Sequence, residues 1–167
     1  MHFDWPHPAT ARAVTDSGWT PARRIDIAPW IDRLEGEGYH VSPPAAAILE
    51  SFGNLAVRPL EDPHSLWGAD SLFFDPIDVG NGMYERYYDF ESALGHRMTP
   101  LAANSSSTSF LLILDDGRLV SDGVLALHLL GNSLPEALDL LIRRHRTPPT
   151  LLSYDLPIPA ARRTRVS

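Results

Sequence analysis

Histidine and aspartate are the side chains in this sequence best suited to bind a metal ion. The seven histidines are scattered and form no H-x-x-H or H-E-x-x-H pair. His128 lies within an apolar stretch and is interpreted as a residue of the core or of a sheet face. Asp70, Asp75 and Asp78 lie close together but lack the spacing and the glutamate of a calcium loop. We therefore predict no metal site and no cofactor, and we interpret these three aspartates as surface acids.

Nucleophilic or phosphate chemistry has equally little support in the sequence. There is no G-x-S-x-G motif and no cysteine, and Ser105–Ser107 is a polar loop. The turn Gly80–Gly82 is too short for a phosphate-binding loop. We predict no catalytic residue. A small hydrolase or transferase stays open as an alternative, and a pocket holding two ionisable groups with perturbed pKa values would favour it.

Charge is distributed unevenly along the chain. Residues 26–91 contain 13 acids and 3 arginines, a net charge of −10, whereas residues 140–167 contain 6 arginines and 1 aspartate, a net charge of +5. An acidic surface repels nucleic acid and attracts cationic partners, although it can also be a solvated face with no partner. The sequence shows no apolar run of membrane-spanning length and no signal-peptide pattern, and the lack of cysteine suits the cytosol. We therefore predict a cytoplasmic protein that binds neither nucleic acid nor membrane.

The segment from Gly18 to Arg24 joins two predicted helices. Residues 9–17 are expected to form a short helix that ends at Gly18, and Asp26 is expected to cap a second helix. Trp19 lies in this tight linker, and so large an apolar ring is expected to be buried between the helices. A third helix is predicted to begin after Ser42 and to end at Gly53, in the left-handed conformation.

The remainder of the chain predicts a β-meander interrupted by helices. Strands are expected at 55–58, 71–74, 101–104, 108–114, 118–121 and 123–129, with a hairpin turn at Asp116–Gly117. Helices are expected over 83–94 and after the capping box Ser133-x-x-Glu136. The predicted fold is α+β, with N-terminal helices packed on an antiparallel or mixed sheet and a closing C-terminal helix. Residues 1–147 are expected to form one domain, and residues 148–167 an extended or disordered Pro/Arg tail.

Several short motifs follow one another in an order that resembles a known family. They include Gly18-Trp19-Thr20-Pro21-Ala22-Arg23, Gly38-Tyr39, Phe52-Gly53-Asn54-Leu55, Phe74-Asp75-Pro76, Thr99-Pro100-Leu101, Asp115-Asp116-Gly117-Arg118 and Gly131-Asn132-Ser133 with Glu136-Ala137-Leu138. In this order they resemble the third subfamily of the SUKH superfamily of bacterial immunity proteins. The structural motif positions are Gly18, Trp19, Pro21, Arg23, Phe52, Gly53, Asp75, Pro76 and Gly117. Ala22, Asn54 and Ala102 stand where the family motifs have glycine, which puts the local turns in question.

The resemblance implies an α+β protein without enzymatic activity that neutralises a cognate toxin, often a nuclease or a deaminase. This agrees with the acidic middle of the chain, because a toxin that handles nucleic acid tends to be cationic. The partner is expected to be a cationic toxin domain, and the protein a monomer or weak homo-oligomer. The candidate partner-binding residues are Asp62, Trp67, Asp70, Asp75, Asp78, Glu85 and Asp89. A regulatory binding module of the same fold, acting on a host partner, is the alternative.

Overall fold

Seven strands pair antiparallel in the order in which they occur along the chain and form one sheet. The computed structural model describes residues 1–154. The strands are β1 (Ala56–Val57), β2 (Leu72–Phe73), β3 (Met98–Asn104), β4 (Phe110–Leu114), β5 (Leu119–Asp122), β6 (Ala126–Gly131) and β7 (Thr150–Ser153). The helices are α1 (Pro8–Asp16), α2 (Ala28–Glu37), α3 (Pro43–Phe52), α4 (Pro76–Gly80), α5 (Tyr84–Leu94) and α6 (Leu134–Arg143). The predicted α+β fold with a meander sheet is confirmed.

Helices cover both faces of this sheet. Because side chains alternate along a strand, β4 sends Leu111 and Ile113 into one apolar cluster and Leu112 and Leu114 into another. The first cluster joins the sheet to α1, α3 and α6, and the second joins it to α2, α4 and α5. Burial on both faces explains why β4 is a continuous apolar run rather than an alternating one.

The Trp19 linker closes the first cluster, as the sequence predicts. The Trp19 ring is buried, stacks on Phe52 at 5.7 Å and donates from Nε1 to Ser51 Oγ at 2.8 Å. Arg23 donates to the carbonyl oxygens of Ser51 and Gly53 at 2.8 and 2.7 Å. These carbonyls lie at the C-terminal end of α3, where the helix itself offers no donor. The linker therefore fixes the end of α3 through both a ring and a cation.

The end of α3 differs in one respect from the prediction. Gly53 has φ −48°, and the left-handed residue is Asn54, with φ 64°. Gly53 is needed for space instead, because a Cβ there would approach Leu49 O to 2.6 Å and the Trp30 ring to 2.6 Å. Asparagine tolerates the left-handed region, so the replacement of the second motif glycine costs little. The two alanines at the other motif glycine positions do not have positive φ.

Three other boundaries differ from the sequence analysis. Helix α2 begins at Ala28, although Asp26 Oδ1 still accepts from the Ala28 N–H at 3.0 Å. Helix α4 was not predicted, and its N-cap is Asp75. Strand β7 extends the sheet beyond residue 147, where the sequence analysis placed the end of the domain, and it pairs with β6. The remainder of the predicted tail, residues 155–167, lies outside the described residues.

Candidate functional site

The candidate binding residues fall into two groups on different sides of the sheet. Asp62, Trp67 and Asp70 belong to the loop between β1 and β2. This loop is hydrogen-bonded to the end of α6, because Leu60 N donates to Ile142 O and Leu66 N donates to Arg144 O. The other four residues lie at α4 and α5, whose buried side chains pack on the opposite face. The structure therefore does not bring all seven together.

The loop group is largely engaged in holding the loop itself. Asp62 Oδ1 accepts from the His64 N–H at 2.8 Å within its own turn. Asp70 accepts hydrogen bonds from the hydroxyls of Ser105 and Ser106. Burial acts to raise the pKa of Asp70, but these hydrogen bonds outweigh it and hold the pKa below its ordinary value.

Trp67 is not the exposed aromatic anchor that the sequence suggested. Its side chain is partly buried and packs against the first apolar cluster, and its carbonyl oxygen accepts from Arg144 Nη1 at 2.7 Å. The neighbouring Leu66 is the exposed residue, with 58% of its surface accessible. The Trp67 ring therefore fills a gap at the edge of the apolar core.

In the second group, Asp75 differs in role from Asp78, Glu85 and Asp89. Asp75 Oδ1 accepts from the N–H groups of Ile77 and Asp78 at 2.9 and 3.3 Å, so this carboxylate caps α4. Asp78 is exposed in the first turn of α4. Glu85 and Asp89 are exposed and lie one turn apart on α5. These three carboxylates are available to a partner.

Helix α2 also carries exposed acids, but on another side. Its C-terminal end contacts α4 and the turn that follows, since Tyr39 OH donates to Gly80 O at 2.7 Å and Glu37 Oε2 accepts from the Gly82 N–H at 3.4 Å. Asp32 and Glu35 are exposed on this helix, turned away from the side on which Glu37 makes this contact. We call the exposed acids of α4 and α5 the acidic face, and it consists of Asp78, Glu85 and Asp89. None of the three forms a salt bridge within residues 1–154.

The arginines near the acidic face are mostly engaged elsewhere. Arg86 binds buried Asp122 through two hydrogen bonds of 3.0 and 2.8 Å. Arg97 pairs with buried Glu91 at 3.2 Å. Arg33 on α2 donates to Asn81 Oδ1 at 3.4 Å, just after α4. The two paired arginines neutralise buried acids, so the exposed acids keep their negative field.

An aromatic side chain lies among these acids. Tyr88 on α5 is 55% exposed, and its ring lies 6.1 Å from that of Tyr84. Glu85 and Asp89 flank it in sequence. Tyrosine is enriched at the centre of protein interfaces, and charged residues belong to their rim. The sequence analysis missed Tyr88 because it counted the residue only as part of a helix.

A cavity of about 360 Å³ lies between the sheet, the β1–β2 loop and the end of α6. We call it the loop cavity. Its lining includes apolar Leu111 and Leu130, and polar Ser109, Ser121 and His128. Within the described residues, no two ionisable side chains of this lining are hydrogen-bonded to each other. Asp70 also lines it, and a lowered pKa keeps this carboxyl ionised rather than available as a proton donor.

The geometry defines an α+β domain with helices on both faces of a meander sheet and with exposed acids and an exposed tyrosine on its helices. Within residues 1–154 no helix is long and apolar enough to cross a membrane. The model of the SUKH-3 immunity protein family matches residues 6–144, and the chain belongs to this family. Comparison with curated proteins and with solved structures finds no match. Membership supports an immunity-protein role, in which the partner is a toxin protein.

Proposed function

We propose that this protein neutralises its cognate toxin by binding it through the acidic face. The observation that carries the proposal is the set of three exposed carboxylates on α4 and α5 that lack ion-pair partners within residues 1–154. Membership in an immunity-protein family supplies the kind of partner. We expect the protein to act in the cytoplasm, as a monomer or weak homo-oligomer.

The charge of the acidic face indicates the kind of toxin. A toxin that acts on nucleic acid, such as a nuclease or a deaminase, carries cationic groups where the phosphates bind. An acidic protein surface associates quickly with such a site and covers it. The proposed partner is therefore a cationic toxin domain whose active site is blocked.

The structure narrows the residues that we assign to this contact. Asp78, Glu85 and Asp89 remain as proposed contact residues because their carboxylates are exposed and form no ion pair with the residues that the structure describes. Asp70 and Asp75 hold local structure, so replacing them would disturb the fold before it disturbed an interface. Tyr88 takes the place that the sequence analysis gave to Trp67, as the aromatic residue at the centre of the contact.

Co-expression with the C-terminal domain of a neighbouring toxin tests the proposal. The wild-type protein should restore growth and co-purify with the toxin domain. The variant Glu85→Lys/Asp89→Lys should lose both effects, because it adds four units of positive charge to the face. The variant Asp4→Lys/Asp16→Lys changes the net charge equally at exposed acids outside the face and should behave like wild type.

The outcomes separate the proposal from its alternatives. Loss of protection in both variants, or in neither, contradicts the acidic face as the contact. A regulatory module of the same fold would instead be indicated if no neighbouring gene encodes a toxin and the wild type protects against none. Stability of each variant, measured by urea unfolding, shows that a loss of protection is not a loss of fold.

A further inference from the structure

We propose that the loop cavity binds a small molecule that combines an aromatic ring with a carboxylate group. Its volume of about 360 Å³ falls within the size range of small-molecule sites. Leu72, Leu111, Leu130 and Leu141 provide an apolar lining on which a ring can pack. This surface lies on the face of the sheet opposite the acidic helices α4 and α5, so the site is separate from the proposed toxin contact.

Polar side chains occupy core-facing strand positions in this cavity. Leu111 on β4 pairs with Ser121 on β5, and Ser121 pairs with His128 on β6, so the three form one row across the sheet. Leu119 and Leu130, two residues along from Ser121 and His128, belong to the apolar cluster on the same face. Polar side chains at such positions need hydrogen-bond partners.

These side chains have partners within residues 1–154 and keep further hydrogen-bonding capacity. The hydroxyls of Ser109 and Ser121 bond to each other. The ring of His128 reaches Thr150 Oγ1 only at 3.5 Å, the outer limit of a hydrogen bond. A ligand in the cavity could therefore accept from or donate to His128 and the two serines.

A buried arginine at the cavity wall indicates the charge of the ligand. Arg144 is 3% exposed and donates to Trp67 O and Leu60 O, but its Nε has no acceptor within residues 1–154. No carboxylate lies within 4.0 Å of its guanidinium in the same part of the chain. A buried cation without a counter-ion is costly, so an anionic group nearby is favoured.

Asp70 is the other charged residue at the cavity, and it does not pair with Arg144. Its two oxygens accept from the hydroxyls of Ser105 and Ser106, and it forms no ion pair with Arg144. The carboxylate is thus committed to the β3–β4 turn. Neither charge has an ion-pair partner within residues 1–154, but Asp70 is partly exposed to solvent whereas Arg144 is buried. The guanidinium therefore gains more from a bound counter-ion, and a carboxylate fits its geometry.

A matched series of indole compounds tests the proposal by chemical-shift titration of the wild-type protein. Indole-3-acetate, indole-3-acetamide and tryptamine share one ring and carry a negative, a neutral and a positive group. The acid should bind in the millimolar range or tighter and shift the amide signals of Ser109, Ser121 and His128. It should bind about tenfold more tightly than the amide, because its hydrogen bonds are charge-assisted. Equal binding of acid and amide, or no saturable shift at these residues, would overturn the proposal.

Variants localise the binding to the cavity. Ser121→Leu fills the cavity from the sheet and should abolish the shifts, whereas Ser92→Leu, on exposed α5 at the other face, should leave them unchanged. Arg144→Gln should reduce the preference for the acid over the amide. If Arg144→Gln fails to fold, the comparison of acid with amide in the wild type still decides the charge of the site. Binding that survives Ser121→Leu contradicts the assignment.

Discussion

Replacing Trp19 by alanine should remove a large share of the stability of this protein. The ring is only 5% exposed and packs against Phe52, Trp5 and Phe3, with ring centres 5.7, 5.5 and 5.8 Å away. Emptying a buried site of this size costs about 3–5 kcal/mol. The change also leaves the buried hydroxyl of Ser51 without its donor, which contributes to that loss.

Urea unfolding of the purified protein measures this loss. The Trp19→Ala variant should unfold at a lower midpoint with an unchanged m-value, since the change lowers stability rather than the surface exposed on unfolding. Trp19→Phe is the matched control. It keeps an aromatic ring but lacks the N–H that reaches Ser51, so it should lose about 1–2 kcal/mol.

Two results would refute this reasoning. A loss below about 1 kcal/mol for Trp19→Ala would mean that the ring does not support the core. Intact stability combined with loss of toxin binding would mean that Trp19 belongs to the interface. Either result would also contradict our interpretation of the family motif around Gly18 as a structural element.

Three further predictions concern residues that hold local structure. Arg23→Met should lower the free energy of unfolding, measured in urea, by about 1.5–3 kcal/mol, because the carbonyls at the end of α3 lose a charged donor. The control Arg24→Met removes a largely exposed ion pair and should lower it by less than about 1 kcal/mol. Gly53→Ala should lower the free energy of unfolding by about 1–3 kcal/mol, because the new Cβ overlaps Leu49 O. The control Gly68→Ala adds a Cβ with no atom within 4 Å and should be nearly neutral in the same assay. A hydrogen bond from the His96 ring holds the pKa of Asp115 below its ordinary value of 3.8. The ionised carboxylate therefore stabilises the folded state above pH 3.8, and this contribution is lost as the pH falls below that value. The stability difference between wild type and Asp115→Asn should therefore shrink as the pH falls below about 4, whereas a difference that grows in this range would reverse the sign.

The elements with strong local signals could be predicted from the sequence. The capping residue Ser42 accepts from the Ala45 N–H, and Ser133 caps α6 as expected by accepting from the Glu136 N–H. The Glu136 carboxylate accepts from the Asn132 N–H, one residue before the position that a capping box would use. The Asp116–Gly117 turn closes the β4–β5 hairpin, with Gly117 at φ 92°. Each of these signals depends on a few neighbouring residues, so the rest of the fold is not needed to read it.

Features that depend on distant residues could not be predicted in this way. A side chain at position 53 would overlap Trp30 and Ile25, which approach from another part of the chain. Strand β7 forms because β6 offers an open edge, and nothing local marks Thr150–Ser153 as a strand. Proline-rich flanks favoured an extended tail instead.

The candidate site shows the same limit. The sequence correctly predicts an acidic middle segment, but it cannot tell which acids are consumed by the fold. Asp75 caps α4 and Asp70 binds two serines, whereas Glu85 and Asp89 form no ion pair within residues 1–154. The loop cavity was missed for a related reason. Polar His128 could be marked as unusual in an apolar strand, but its neighbour Ser121 lies on another strand, and Arg144 joins them only in the folded chain.

The rate of association with the toxin domain, measured by stopped-flow at several salt concentrations, tests the central claim most directly. For the Glu85→Lys/Asp89→Lys variant we expect the rate to fall at least about tenfold at low salt and to depend less on salt, with a smaller change in the dissociation rate. The Asp4→Lys/Asp16→Lys variant should keep the wild-type rate and salt dependence. An unchanged association rate and unchanged salt dependence in the first variant would contradict binding through the acidic face.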